Sequence, residues 1–375
     1  MRVAYVNWIP RPSAWPGLVD KLRHQAKALG RSGLPWEVLV LSDELAGERD
    51  GVRYLPIPPV ALGGLRRRVA RCALIEQALD WQRYDRVLLR YPGAADLSCT
   101  GLLARHGDMI FSEHHTDEPQ ELRTLVRGPS SWAKWRAECA WGPRWLAGVA
   151  GIVAVTPEIL ALEQRRHRTR RGLALGNGIS VADVAPTGSQ LNDGVVSLLF
   201  SCARFWSWQG LDRLLRGLLE YRGPARVIVH LAGIVVEPAD RLLLGRLADH
   251  PHVRLIEHGM LDGAALDRVA ATCTLGIGTL ALGRKHLREA CTLKSRDYAA
   301  RGLPFVFAHQ DPDLPDDLPG ILRLADDGTA ISIARMLAFA HELTPDIPAR
   351  LRAFAAARLD WSHKLLNLHH FLGGH

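Results

Sequence analysis

Short, almost wholly apolar runs that alternate with longer amphipathic ones predict an α/β protein built from two doubly wound parallel sheets. Three observations carry this. The alternation is laid down twice, once on each side of GNGISVADVAPTGSQLNDG, a stretch rich in Gly, Asn, Pro and Ser. Nearly every apolar run is followed by a helical pattern, as in strands buried under helices on both faces. The chain, 375 residues and 47% hydrophobic, is too long for one ordinary core and suits two of similar size.

In the first half, strands are expected at 3–8, 36–41, 86–90, 108–112 and 151–155, with helices between them such as 18–30 and 66–79. In the second half, strands are expected at 195–201, 225–232, 253–258, 275–279, 304–307 and 320–324. Helices are expected there at 211–221, 238–249, 263–271 and 294–301. The expected division is residues 1–180, a linker at 181–194, and 195–344. A helical end, 345–375, could pack back on the first domain. Two such halves facing each other would enclose a cleft at the carboxyl ends of their strands, where open α/β sheets bind ligands. Functional residues are therefore sought just after strands.

The net charge of +8 favours contact with phosphates, nucleic acid or an anionic membrane and does not choose among them. No zinc spacing, recognition-helix pattern or aromatic single-strand platform is present, so nucleic acid is not expected as a partner. The six cysteines (Cys72, Cys99, Cys139, Cys202, Cys273 and Cys291) are scattered, with no metal-type spacing, and read as reduced thiols. MRVAYVNWIP reads as a first strand without the apolar core of a secretory leader, and no charge-free run reaches the length of a spanning helix. A cytoplasmic protein is expected, with peripheral attachment to the inner face of the membrane left open.

The chemistry-bearing stretch is EACTLKSRD, Glu289 to Asp297, followed at once by YAARGLP. Thr292 is placed to cap a helix beginning near Leu293, and Gly302 to end it. Lys294 in the first turn opposes the helix dipole unless an anion compensates, and a helix N-terminus after a strand offers free N–H groups to such an anion. If the whole segment were helical, Glu289 and Asp297 would stand roughly 12 Å apart. That spacing suits a ligand with hydroxyls at both ends and a diphosphate between. On spacing alone, a solvated charged helix explains it as well.

Glu-x7-Asp followed by Tyr-Ala-Ala-Arg-Gly-Leu-Pro resembles the E-x7-E signature of retaining, nucleotide-sugar-dependent glycosyltransferases of the GT-B fold, the family 4 group. GIVAVTPEI (151–159), LGNGIS (175–180) and FSCARFWSWQGLDRLL (200–215) resemble three further segments of that family, in the same order. The resemblance implies two Rossmann-like domains and assigns roles. Glu289 would contact the donor sugar, Asp297 the ribose diol, and Arg204 the departing diphosphate. Gln209 stands where the family has Lys, and Lys294 is the candidate to replace that charge. The first domain would contribute from DMIFSEHHTDEPQEL, with His115 the better match to the family's histidine and His114 the second choice. A pair of solvated loop histidines is the plain alternative. The first βα loop, 7–22, has Gly17 as its only glycine where the family has a Gly pair.

Two other features are less specific. SSWAKWRAECAWGPRWLAG sets Trp132, Trp135, Trp141 and Trp145 among Lys134, Arg136 and Arg144, which suits a bilayer interface or a core-facing helix equally. The basic runs 66–71 and 165–171 suit anionic headgroups or a solvated face. The expected function is sugar transfer from a UDP- or GDP-linked donor to a sugar or lipid-linked acceptor, in cell-surface polysaccharide or glycoconjugate synthesis, with no cofactor and no metal implied. The alternatives are a nucleotide-sugar epimerase or hydrolase of the same fold, and a binding subunit weakened by Gln209.

Overall fold

The computed structural model describes the chain except residues 59–63, 94, 125–127, 168–170, 188–193, 262 and 375, and only the backbone of 64–69. The described chain forms two compact units, Met1–Gly176 together with Trp361–His375, and Asn177–Asp360. No helix among the described residues is long and apolar enough to cross a membrane.

The first unit holds β1 (Val3–Trp8), β2 (Trp36–Ser42), β3 (Gly47–Arg49), β4 (Val52–Pro56), β5 (Arg86–Arg90), β6 (Ile110–His114), β7 (Gly151–Ala154) and β8 (Gly172–Ala174). They lie in the order β3-β4-β2-β1-β5-β6-β7-β8, parallel except for the β3–β4 edge pair. Side-chain alternation along β1 splits the core into two layers. Ala4 and Val6 pack with Leu39, Val87, Leu89 and Trp145, while Val3 and Tyr5 pack with Leu22, Leu88, Phe111 and Leu365. The last helix, Trp361–Gly373, closes that second layer with Trp361, Leu365, Leu368 and Leu372, one apolar stripe at helical spacing.

Sequence patterning misses β3, β4 and β8. β3 is three exposed residues and β8 three half-buried ones, so neither bears an apolar signal. It also sets β6 two residues early. Met109 is held in a turn by its N–H to the His106 carbonyl at 3.0 Å, and the strand runs on through the polar Glu113 and His114.

The second unit holds β9 (Val195–Phe205), β10 (Arg226–Val235), β11 (Val253–Gly259), β12 (Leu275–Ile277), β13 (Phe305–Phe307) and β14 (Ile321–Arg323), all parallel in the order β11-β10-β9-β12-β13-β14. Counted within the unit this is the 3-2-1-4-5-6 order of a doubly wound sheet, whose direction of growth reverses between β9 and β12. Helix Leu211–Glu220 buries Leu211, Leu214, Leu215 and Leu218, the i, i+3, i+4, i+7 stripe that patterning expects. At the division between units, Val181 and Val184 are buried in the second unit, as are Leu351, Ala355 and Leu359 near its end. The chain leaves helical geometry at Asp360, whose carboxylate accepts from the Val181 N–H at 3.0 Å. Much of the segment read as a linker, 181–194, lies at 188–193, outside the described residues.

Gly210 makes the turn between β9 and its helix. Its φ is +76°, and a Cβ there would lie 2.8 Å from Leu280 Cβ and 3.0 Å from the Ala281 nitrogen. Gly210→Ala meets both the left-handed backbone and a rigid neighbour, so it should cost about 1–3 kcal/mol in urea unfolding. A loss under about 0.5 kcal/mol would show that the turn relaxes freely.

Candidate functional site

In the second unit the switch point between β9 and β12 gathers most of the residues singled out from the sequence. β9 ends at Phe205, a 3-10 turn covers Ser207–Gln209, and Gly210 starts the helix with no side chain capping it. The turn is tied to the chain after β12 by the Leu280 N–H on the Gln209 carbonyl at 3.0 Å. Arg204 is exposed at the end of β9 and makes no ion pair or hydrogen bond through its side chain with any described residue. Gln209 is buried. Its Oε1 accepts from the Lys294 ammonium and, at 3.4 Å, from the Thr279 hydroxyl. Lys294 also lies over the Phe200 ring, 4.8 Å from its centre. Burial lowers its ammonium to about 8. The position where the family has Lys thus holds the amide that accepts from Lys294.

The helix carrying Lys294 runs Leu293–Arg301, with Thr292 Oγ1 accepting from the Ser295 N–H and Gly302 at φ +74°, the cap and stop read from the sequence. Glu289 lies outside it. The residue forms a parallel bridge to Gln310 after β13, fixed by Ala290 N–H on the Gln310 carbonyl at 3.0 Å and Gln310 N–H on Arg288 at 2.9 Å. The helix start read near Leu293 is thus met, and the roughly 12 Å spacing, which held only if the whole segment were helical, does not apply, because backbone bonds to the β13 loop hold Glu289 in a bridge. Asp297 accepts through Oδ2 from Arg301 at 2.8 Å, and Arg301 reaches Asp267 at 2.6 Å. Its Oδ1 makes no hydrogen bond with a described residue.

Sequence reading missed His309. Its Nδ1 lies 3.3 Å from the Thr279 carbonyl, an acceptor only, so Nδ1 carries the hydrogen and Nε2 a lone pair. That Nε2 is buried without a partner among the described residues, and burial lowers the ring to about 4, so it stays neutral. A histidine two residues past an apolar strand carries no spacing signal of its own. Nearby, Cys291, Asp311 and Asp313 lie close enough to share a cation, but the Arg296 guanidinium already sits on both carboxylates.

In the first unit neither histidine is a solvated loop residue. His114 is locked in the core. Trp145 Nε1 donates to Ser112 Oγ at 2.9 Å, and Ser112 Oγ is in turn hydrogen-bonded to His114 Nε2 at 2.9 Å. His114 Nδ1 faces Glu163 Oε1 at 3.6 Å. Burial, then the Arg166 charge, lowers His114 to about 3. His115 keeps 19% of its side chain exposed and joins a cluster built on Glu113. Glu113 accepts from Tyr5 Oη at 2.6 Å and from Lys21 Nζ at 3.4 Å, and His115 Nε2 lies 3.0 Å away. Burial alone would raise the Glu113 carboxyl; Lys21, His115 and Arg90 together hold it well below the carboxylate range. Burial lowers Lys21 to about 8 against the pull of Glu113.

The tryptophans of the stripe differ in burial. Trp145 is core, while Trp132 is 54% exposed beside exposed Lys134 and Arg136 on helix Pro129–Gly148. Of the basic runs, the side chains of 66–69 and residues 168–170 lie outside the described residues.

Compared with solved structures, the whole chain matches sucrose-phosphate synthase from Thermosynechococcus elongatus with a TM-score of 0.69 at 13% identity, covering 99% of this chain and 98% of that one. It matches HepE of Anabaena in complex with UDP-glucose at 0.64 and 14%, covering 100% of each chain. It matches WaaG, a glycosyltransferase involved in lipopolysaccharide biosynthesis, at 0.66 and 14%, covering 97% and 98%. The fold is GT-B. No protein-family model and no curated protein sequence matches the chain. At these identities the likeness is one of fold, and the site residues stand on their own geometry.

Lys294 gives a signed pH test. Folded, it titrates near 8; unfolded, near 10.4. Between those values the unfolded chain binds the extra proton, so the penalty of the buried ammonium grows as pH falls to about 8 and is constant below. Lys294→Met should therefore gain stability relative to the parent at pH 7 compared with pH 10, by urea unfolding at both. Equal differences would show that Lys294 titrates normally.

Proposed function

We propose that the protein is a retaining glycosyltransferase of the family 4 group, moving a sugar from a UDP- or GDP-linked donor to a sugar or lipid-linked hydroxyl in polysaccharide or glycoconjugate synthesis. The observation that carries the reading is the switch point of the second unit. There, a helix N-terminus with no capping side chain, Lys294, and Arg204, unpaired among the described residues, all lie on segments that leave the carboxyl edge of a 3-2-1-4-5-6 sheet. The overall likeness to structures described as glycosyltransferases, and to one holding UDP-glucose, supports it.

In this reading the N-terminal amides of Leu211–Glu220, Lys294 and Arg204 receive the diphosphate, and Asp297 Oδ1 accepts from the ribose diol. Glu289 holds the donor sugar. As the bond from the anomeric carbon to the phosphate oxygen breaks, the acceptor oxygen bonds the same face of that carbon. The hydroxyl proton passes to a phosphate oxygen, and His115 positions the reacting groups. No metal is assigned a role, because two cationic side chains and a helix N-terminus already meet the charge on the leaving group. Gln209 is the observation that favours a weakened binding subunit, and Lys294 on its Oε1 is the compensating charge.

A thermal-shift series with UDP, GDP, ADP and their sugar conjugates tests the donor site, since a ligand of the folded state raises Tm. One base should give a clear rise that Arg204→Ala and Lys294→Ala each reduce, and no rise with any nucleotide would sink the reading. Product analysis then separates transfer from epimerisation. Because the bound diphosphate favours the charged amine, affinity should be full below pH 8 and fall by up to about tenfold per pH unit above it. Lys294→Arg should remove that slope, as measured by titration calorimetry.

We also place peripheral contact with anionic lipid on helix Pro129–Gly148, from exposed Trp132 among Lys134 and Arg136. Sedimentation with anionic vesicles should fall on Trp132→Ala, and binding equal to the parent's would remove this helix from the contact.

A further inference from the structure

The Glu113 cluster poses a proton-placement problem that its chemistry resolves. His115 Nε2 is 3.0 Å from Glu113 Oε2 and 3.2 Å from Arg90 Nη1. One ring nitrogen cannot serve both in a neutral imidazole: it donates to the carboxylate or accepts from the guanidinium. His115 is neutral across the physiological range, because burial and then Arg90 lower it to about 3. Nδ1 makes no hydrogen bond with a described residue and is not among the buried polar atoms lacking a partner. What Nδ1 presents, a lone pair or a hydrogen, is therefore decided at Nε2.

We propose that Glu113 is a positioning residue that holds His115 as the Nε2–H tautomer, so that Nδ1 presents a lone pair to a hydroxyl of the bound substrate. The carboxylate is fixed before the histidine is considered. Tyr5 Oη binds Oε2 at 2.6 Å, Lys21 Nζ binds Oε1 at 3.4 Å, and Lys21 and Glu113 are both almost wholly buried. A carboxylate held through both oxygens, by Tyr5 and by Lys21, has no hydrogen to give and cannot turn away from Nε2. Arg90 has five N–H donors and a partly exposed side chain, so it loses little by leaving Nε2 alone. Strand alternation supplies the rigidity. Tyr5 in the middle of β1 and Arg90 and Glu113 at the carboxyl ends of β5 and β6 share one face of neighbouring parallel strands. The logic is that of a buried carboxylate fixing the tautomer of a working histidine through its far nitrogen.

The tautomer itself does not depend on the enzyme's substrate; only the use of the lone pair rests on the transferase reading. Long-range proton–nitrogen NMR on histidine-labelled full-length protein reads it without any ligand, with His115→Asn assigning the signal. The parent should show a bare Nδ1 and a protonated Nε2. Glu113→Gln should move the proton to Nδ1, since the Gln amide can donate to Nε2. Arg90→Met should leave it on Nε2, and it keeps the test alive if the Glu113 variant does not fold. A parent signal with Nδ1 protonated, or an Arg90→Met variant in which the proton changes nitrogen, overturns the proposal. With a donor and acceptor in hand, Glu113→Gln should lower kcat by about 10²-fold while leaving nucleotide affinity unchanged. An unchanged kcat also overturns it, whereas absent turnover in the parent would bear on the transferase reading alone.

Discussion

The guanidinium of Arg296, with no exposed surface, is the interaction on which the second unit's site depends. It binds Asp311 through both carboxylate oxygens, Asp313 at 2.6 Å and the Asn177 carbonyl at 2.9 Å. One group thus ties helix Leu293–Arg301, which carries Lys294 and Asp297, to the chain after β13, which carries His309 and bridges Glu289. A buried charge is tolerated only when its hydrogen bonds are filled, and removing one partner from such a set costs about 3–5 kcal/mol. The same set makes the geometry stiff: neither the helix nor the β13 loop can shift without leaving a desolvated charge unpaired. Asn177 adds its own bond, Nδ2 to the Cys291 carbonyl at 2.8 Å, so the segment between Glu289 and the helix is held from a third direction.

Each unit also buries a lysine beside a single side-chain acceptor, Lys21 on Glu113 and Lys294 on Gln209. Burial lowers both to about 8, yet the acceptors give them different work. A carboxylate neutralises Lys21 and makes it part of a closed, structural set. An amide leaves Lys294 a net positive charge that only an anion can satisfy. The difference between Glu and Gln therefore separates a scaffold lysine from the one proposed to bind the diphosphate.

Much of this was legible before folding. The apolar runs place β1, β2, β5, β6, β7 and all six of the second unit's strands to within about four residues, because strands buried on both faces carry an unbroken signal. Thr292 and Gly302 bound their helix correctly, since caps act within a few residues of themselves. The site was less legible. Glu113 and His114 looked like loop residues because they are polar, and strand pairing kept them inside. Gln209 looked like a lost charge because its partner lies 85 residues away. His309, Tyr5, Lys21 and Arg90 gave no motif at all.

What the sequence by itself determined is the order of elements, the local caps, and the two stretches at which chemistry is concentrated, all consequences of interactions between residues near in the chain. Only the tertiary structure decided that Glu289 is bridged to Gln310, that His114 is sealed and His115 is not, and that Lys294 stands on Gln209. Those outcomes depend on burial and on hydrogen bonds between strands and loops far apart in sequence. A polar side chain's role follows from which distant partner desolvates it, and spacing along a chain carries no record of that.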